Sequence, residues 1–362
     1  MNTKRPVVIM AGGTGGHVFP ALAVAERLQA HGAPVVWIGT RRGLEATLVP
    51  KAGIPMEWIG VAGLRGKSLR QRWLTPVMLS QALWQAGMIL RRLRPPVVLG
   101  MGGFVSGPGG VMARLLGIPL VVHEQNALAG MTNRWLARIA RRVMEAFPGT
   151  FPPERQATTV GNPVRASIAE LPSPAERFAG RTGRRRLLVL GGSQGALALN
   201  QLVPRALALL TDREQLEVWH QAGGQLHEAA ETAYREAGIT ARLTPFIENM
   251  AEAYGWADLV LCRAGALTIA ELAAAGVGAI LVPFPFAVDD HQTANARFLE
   301  REGAALVCQQ AELTAERLAM LLRELLSDRD RLLRMAEAAR RLAQVDAAEQ
   351  VALACLDCTD HS

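Results

Sequence analysis

Aromatic side chains are scarce in this chain, with 7 Trp, 9 Phe and 2 Tyr among 362 residues. Single-stranded nucleic acid is gripped by bases stacked on exposed aromatics along a basic groove. So thin a supply, with no known binding signature, argues against a nucleic-acid partner. Cysteine is scarce too: Cys262, Cys308, Cys355 and Cys358 all fall in the second half, so no disulfide framework spans the chain and a reducing compartment fits. Cys355 and Cys358 form a lone CxxC with no second pair and no adjacent histidine pattern, which is too little for a zinc site. Long apolar runs are missing as well. The most apolar region, residues 259–288, is cut by Arg263 and Glu271 and punctuated by glycine and proline, as expected of a buried sheet rather than a membrane span. The apolar run after Lys4 and Arg5 ends in glycines, so no secretory signal is expected.

Acidic residues are absent between Glu57 and Glu124, an interval that holds Arg65, Lys67, Arg70, Arg72, Arg91, Arg92, Arg94 and Arg114. The formal net charge of +7 therefore hides an asymmetry. Residues 1–165 carry 20 Lys and Arg against 6 Asp and Glu, and the remainder carries 19 against 26. The N-terminal half is expected to meet an anionic partner. Within residues 65–94 the basic positions flank Trp73, Leu74, Val77, Met78, Leu83, Trp84, Met88 and Leu90, the composition of a segment lying in a membrane interface. An amphipathic helix packed on a sheet reads the same way, and part of the stretch must be that. The expected membrane patch is Lys67, Arg70, Arg72, Trp73, Leu74 and Trp84, facing an anionic membrane surface.

Short, continuously apolar runs at residues 7–10, 35–38, 97–99, 120–122, 187–190, 216–219, 259–262 and 279–282 alternate with longer helical patterns. Unbroken hydrophobicity suits parallel strands covered on both faces, so the expected class is doubly wound α/β. Three prolines and small residues interrupt the pattern over residues 161–174. Each half then opens in the same way, with a strand, a glycine loop and a helix. The expectation is two Rossmann-like domains facing across a cleft, residues 1–163 and 164–340, with a final helix at residues 341–362 that can pack back on the first.

Three glycine-rich loops follow expected strands: residues 12–16, 100–110 and 191–195. Glycines let main-chain N–H groups approach an anion, and the following helix adds its positive end. None fits GxGxxG or GxxxxGK[ST], so hydride transfer and P-loop hydrolysis lose ground. His17 closes the first loop, where it can cap, pack, or act as a base or phosphate ligand at a cleft mouth. A second block, CRAGALTIAELAAAG at residues 262–276, places Thr268 and Glu271 in the opening turns of a helix. That arrangement suits phosphate and ribose, although Glu271 alone also reads as a carboxylate favoured by the helix dipole. Downstream, the amides of Gln292 and Asn295 in DDHQTAN suit sugar hydroxyls.

GGTGGHVFPALA, GGFVSGPGG, HEQNALAG, GNPVR, GGSQG, CRAGALTIAE and DDHQTANA occur in the order and spacing of the MurG family, which the chain resembles over nearly its whole length. These are bacterial UDP-N-acetylglucosamine:lipid I N-acetylglucosaminyltransferases of peptidoglycan synthesis. The resemblance implies a two-domain GT-B fold and transfer of N-acetylglucosamine, with inversion, to the 4-hydroxyl of the N-acetylmuramoyl unit of lipid I, giving lipid II. It implies donor contacts from Thr14, Gly15, Gly16, Asn126, Arg165, Ser193, Ile247, Ala266, Leu267, Thr268, Glu271 and Gln292. Gly13, Gly102 and Gly103 are expected at the acceptor diphosphate, and His17 as the base. Ala264 stands where relatives commonly carry serine. No metal or other cofactor is implied, since the UDP-sugar is a substrate. The implied location is peripheral, on the cytoplasmic face of the cell membrane, with cell-wall and division proteins as possible partners. The competing readings are a UDP-N-acetylglucosamine epimerase of the same fold, which has no need of a lipid-facing basic patch, and a non-catalytic nucleotide-sugar binder.

Overall fold

In a computed structural model, residues 5–60, 75–192, 195–287 and 290–359 are described. The chain divides into two compact units, residues 1–165 with 345–362, and residues 166–344.

The first unit runs β1 (Val7–Met10), α1 (Gly15–Ala30), β2 (Val35–Gly39), α2 (Glu45–Lys51), β3 (Met56–Trp58), α3 (Thr75–Leu93) and β4 (Val98–Gly100). It continues with α4 (Ser106–Leu115), β5 (Leu120–Glu124), α5 (Met131–Leu136), β6 (Arg142–Glu145) and β7 (Thr158–Thr159). The second unit opens with α6 (Ala166–Ala169), α7 (Pro174–Phe178), β8 (Arg185–Leu190), α8 (Leu197–Ala208), β9 (Leu216–Gln221) and α9 (His227–Glu236). It closes with β10 (Arg242–Thr244), α10 (Met250–Trp256), β11 (Leu259–Cys262), α11 (Ala266–Ala275), β12 (Ala279–Leu281), α12 (His291–Glu300), β13 (Ala305–Val307), α13 (Ala315–Ser327) and α14 (Arg329–Arg341). A last helix, α15 (Ala347–Asp357), belongs to the first unit.

Both sheets are parallel throughout, ordered β3-β2-β1-β4-β5-β6-β7 and β10-β9-β8-β11-β12-β13. Each is doubly wound, and each reverses direction once, between β1 and β4 in the first and between β8 and β11 in the second. Helices cover both faces, which is why central strands such as β1 and β11 are buried at every position. The sequence pattern locates the central strands but passes over β3, β6, β7, β10 and β13. These are edge or near-edge strands with short runs; β3, β10 and β13 are only partly buried, and all but β13 carry a charged or exposed residue.

The C-terminal crossing has a packing reason. Val351, Ala352 and Cys355 of α15 are fully buried in the same core cluster as Val18, Ala21, Val24 and Leu28 of α1. His31 Nε2 and Glu349 Oε1 add a 2.6 Å contact at the rim, which is exposed and worth little. Burial therefore holds this helix. Val351→Ala removes two buried methyl groups and should cost about 2 kcal/mol, at roughly 0.8 kcal/mol per CH2 plus a cavity term. The check is the urea midpoint of the first unit's transition; an unchanged midpoint would mean that α15 does not dock on α1.

Candidate active site

In a doubly wound sheet the place where the winding reverses leaves a crevice at the carboxyl ends of two strands. In the first unit β1 and β4 end there, and each runs directly into a glycine loop. Gly13 has φ +93°, Gly102 +94° and Gly103 +79°, conformations open to glycine at no steric cost. The loops touch: a Cβ on Gly103 would collide with the Gly12 carbonyl, and one on Gly102 would lie 2.9 Å from the His17 ring. Met101 N donates to Met10 O at 2.9 Å, and the Ser106 hydroxyl, fully buried, lies 2.9 Å from Met10 O and 3.1 Å from Gly102 N.

Glu45 organises this corner. Its side chain is fully buried, and Oε2 accepts from Gly13 N at 3.0 Å while Oε1 accepts from Thr40 N at 3.1 Å and Thr40 Oγ1 at 2.8 Å. A Cβ on Gly12 would approach Oε1 to 2.7 Å, and one on Gly39 would approach Glu45 Cγ to 2.8 Å. The glycines thus make room for a carboxylate as well as for an anion. Trp37 Nε1 donates to Ala11 O at 2.9 Å, holding the loop's other end.

His17 is the third residue of α1, partly exposed, with Nδ1 2.8 Å from Gln125 Oε1. Behind it, Gln125 Nε2 stands 3.0 Å from His123 Nδ1 and 3.1 Å from His123 O. His123 Nε2 in turn lies 2.9 Å from Gly161 O. Burial pushes the His123 imidazole down to about 4, against smaller raising effects of the Gly161 bond and Glu124. Glu124, also buried, accepts at Oε1 from Asn126 N (3.0 Å) and Nδ2 (3.1 Å), and at Oε2 from Gly130 N (3.1 Å) and Asn133 Nδ2 (2.9 Å). Asn126 is therefore held by the carboxylate two residues before it. Thr14 precedes α1 as its N-cap with an exposed side chain, and Gly15 and Gly16 form the first turn. Arg165 falls in this unit and not with the second, and its guanidinium sits 5.7 Å from the Phe19 ring centre.

The second unit repeats the plan. β8 and β11 flank its reversal point; residues 191 and 192 follow β8, and residues 263–265 follow β11. Gly192 and Gly195 have φ +80° and +79°, and a Cβ on Gly191 would lie 2.6 Å from Ala196 N. Gln221, at the end of β9, ties two loops together by donating from Nε2 to Gly192 O at 2.9 Å and accepting at Oε1 from Ile247 N at 3.0 Å. The Ile247 side chain is itself buried. Gly265 is the N-cap of α11, so Ala266, Leu267 and Thr268 are its first turn, at the positive end of the helix. Glu271 lies one turn further in, buried, where Tyr254 Oη donates to its Oε2 at 3.0 Å. The dipole-favoured position is thus not the one it holds. Gln292 Oε1 accepts from Phe284 N at 2.9 Å, leaving its amide NH2 to donate. Asn295 is fully buried and holds Ala264 O at 3.3 Å, a loop-bracing role rather than a sugar contact. Arg263 braces the same region through Val282 O and Pro283 O, at 3.1 and 3.2 Å.

Ser193, Lys67, Arg70, Arg72, Trp73 and Leu74 lie outside the described residues. Trp84 is on α3 and 63% exposed. The Asp328 and Asp330 pair is a helix start, with Asp328 Oδ1 accepting from Arg331 N at 2.8 Å. Among the described residues no cluster of three or more His, Cys, Asp or Glu is placed to hold a metal ion.

Two units, each a doubly wound parallel sheet with glycine loops at the carboxyl ends of its central strands, are the plan of the GT-B glycosyltransferases. The family 28 N-terminal domain matches residues 7–145 and the family 28 C-terminal domain residues 186–351. A protein of Nitrosococcus oceani, named UDP-N-acetylglucosamine--N-acetylmuramyl-(pentapeptide) pyrophosphoryl-undecaprenol N-acetylglucosamine transferase, is 60% identical over 97% of this chain and 98% of its own. The crystal structure of Acinetobacter baumannii MurG matches with a TM-score of 0.85 at 44% identity, covering 98% of this chain and 99% of that one. A UDP-GlcNAc 2-epimerase from Neisseria meningitidis covers 97% of this chain and 99% of its own with a TM-score of 0.67 but 12% identity, a likeness of fold alone. The chain belongs to glycosyltransferase family 28, in its MurG branch.

Glu45→Ala should leave the Gly13 and Thr40 amides without their buried partner. We expect a loss of about 2 kcal/mol in stability, in the range of a charge-assisted bond removed from one side, and faster hydrogen exchange at both amides. Wild-type exchange at Gly13 would show that Glu45 does not hold the loop.

Proposed function

We propose that the protein transfers N-acetylglucosamine from UDP-N-acetylglucosamine to the 4-hydroxyl of the N-acetylmuramoyl unit of lipid I, forming the β-1,4 linkage of lipid II in peptidoglycan synthesis. The observation that carries this reading is the near-full-length similarity to proteins named for that transfer, at 60% identity for the Nitrosococcus protein. The epimerase shares the fold only, and the transferase reading is favoured.

The second unit takes the donor in this reading. The first turn of α11, with Thr268, receives the diphosphate, helped by Ser193 and Arg165; the positive helix end meets the charge that gathers on UDP as it leaves. Glu271, oriented by Tyr254, takes ribose hydroxyls. Gln292 takes a sugar hydroxyl with its amide NH2, and Ile247 borders the uracil. The first unit takes the acceptor. Main-chain N–H groups of Gly13, Gly102 and Gly103 are suited to the lipid diphosphate, while Thr14, Gly15, Gly16 and Asn126 approach the donor sugar. His17 acts as the base, removing the hydroxyl proton as the new C–O bond forms at the anomeric carbon. The bond to the β-phosphate breaks with its electron pair staying on UDP, so one displacement inverts the centre. No metal or other cofactor takes part in this scheme.

Among the described residues no helix is long and apolar enough to cross a membrane. The lipid tail of the acceptor nonetheless requires the enzyme to come to the bilayer. Val77, Trp84 and Met88 of α3, spaced along one face, are 65%, 63% and 45% exposed, and Leu115 of the adjoining α4 is 71% exposed. These apolar side chains, with the acid-free basic interval around them, support peripheral attachment to an anionic leaflet at the cytoplasmic face. Each nearby Lys or Arg contributes on the order of 1 kcal/mol there.

UDP release from UDP-N-acetylglucosamine should depend on a lipid I analogue. Isomerisation of the sugar without acceptor would support the epimerase, and neither activity would leave a binder. His17→Ala should lower kcat by on the order of 10² to 10⁴ fold while leaving UDP-sugar affinity near wild type; equal loss of both would remove His17 from the role. Vesicle binding should require anionic lipid and weaken with salt. Attachment indifferent to both would sink the electrostatic account.

A further inference from the structure

The hydrogen-bond chain behind His17 has a direction, and it can be read from its buried end. Gly161 O is a carbonyl and can only accept, so the His123 Nε2 atom 2.9 Å away carries the proton. The ring is fully buried and stays neutral near pH 7, its pKa held near 4 by burial. With its one proton on Nε2, His123 Nδ1 is an acceptor. The Gln125 Nε2 atom faces two acceptors, His123 Nδ1 at 3.0 Å and His123 O at 3.1 Å. Only the NH2 end of an amide satisfies both, so the amide orientation is dictated. Its other end, Oε1, must then face His17 Nδ1 at 2.8 Å, and an amide oxygen can only accept.

Neutral His17 consequently keeps its proton on Nδ1 and carries its lone pair on Nε2. In water a free histidine favours the opposite tautomer, with the proton on Nε2. The scaffold of the relay is rigid: Gln125 is 1% exposed, Asn162 Nδ2 donates to its carbonyl at 2.9 Å, and Asn133 Nδ2 donates to His123 O at 3.1 Å. No described residue hydrogen-bonds His17 Nε2.

We propose that Gln125, anchored through His123 to the Gly161 carbonyl, is the positioning residue that selects the Nδ1–H tautomer of His17 and makes Nε2 the proton acceptor. The inference rests on the transferase reading and on His17 as its base. When the acceptor oxygen bonds to the anomeric carbon and the sugar–phosphate bond breaks toward UDP, the hydroxyl proton passes to Nε2. His17 then carries protons on both nitrogens, and Gln125 Oε1 continues to accept from Nδ1–H in a bond strengthened by the new charge. The orienting group is a neutral amide, so no negative charge is placed beside the ring. Gln125 and His123 act only through His17.

The direct test is side-chain 15N spectroscopy of the full-length protein labelled at histidine, where His17 is one of 7 histidines and is assigned by its loss in His17→Asn. The expected result is neutral His17 protonated at Nδ1; protonation at Nε2 overturns the proposal, and this measurement needs no variant of the relay. Gln125→Met removes both polar ends in a similar volume and should lower kcat by on the order of tenfold to a hundredfold, below the full value of a general base, with KM for each substrate within about twofold. In a His17→Ala background the same substitution should cost nothing further, because its route to the chemistry is gone. Wild-type kcat for Gln125→Met, or additive losses in the double variant, would contradict the assignment. A wild-type protein without acceptor-dependent UDP release would instead overturn the transferase reading itself. A fully active His17→Ala would remove the base and the relay's catalytic role together.

Discussion

Main chain meeting main chain at the carboxyl ends of the central strands is the constraint on which the rest of this molecule depends. Parallel strands deliver their carboxyl ends to one edge, and there the segments that follow neighbouring strands meet with room for backbone but not for side chains. Where the β1 and β4 loops cross, a Cβ at Gly103 would strike the Gly12 carbonyl, and at the β8 loop a Cβ at Gly195 would strike the Ala222 carbonyl. Glycine is thus required first by packing, and the exposed N–H groups suited to phosphate follow from it. An edge suited to phosphate and a closely packed parallel sheet are here the same structural fact.

Bare backbone loops need something to hold them, and buried polar side chains do that in both units. Glu45 holds the first loop, Glu124 holds the turn carrying Asn126, Gln221 joins the residue 192 and 247 loops, and Tyr254 orients Glu271. Each such group would be costly to bury alone, and each is satisfied by two or more hydrogen bonds or by a partner that is itself buried. Polar groups of this kind fix the loops at the strand ends from behind, while being buried themselves. The His17 relay extends the principle from position to protonation, since a carbonyl on the far side of His123 determines which nitrogen of His17 bears the proton.

The central strands, the glycine loops and the charge asymmetry were legible in the sequence, because unbroken apolar runs and acid-free intervals are local patterns. The edge strands were not, since their residues are only partly buried and lack a period. Glu45 had one available signal, being among the 6 acidic residues of the first 165, but its role depends on a meeting of β1, β2 and α2 that no local pattern reports. Gln125 stands inside the quoted HEQNALAG motif, yet its orientation follows from the Gly161 carbonyl, distant in sequence. Asn295 misled for the complementary reason: an amide beside a sugar-suited motif is fully buried and spent on Ala264. Arg165, read with the donor domain, belongs by its contacts to the first unit. Lys67, Arg70 and Arg72, expected at a membrane surface, lie outside the described residues, whereas Trp84 is exposed on α3.

Function in this account comes from two crevices of the same design, one suited to a nucleotide diphosphate and one to a lipid diphosphate, with a single histidine set to take one proton. The arrangement proposed for them suits one direct displacement. The measurement that tests it most directly is the proton NMR spectrum of the disaccharide formed from UDP-N-acetylglucosamine and a lipid I analogue. The α-linked donor should give only a β-linked product, seen in the large H1–H2 coupling of the new glycosidic centre; an α-linked product would contradict the single displacement and, with it, the role given to His17.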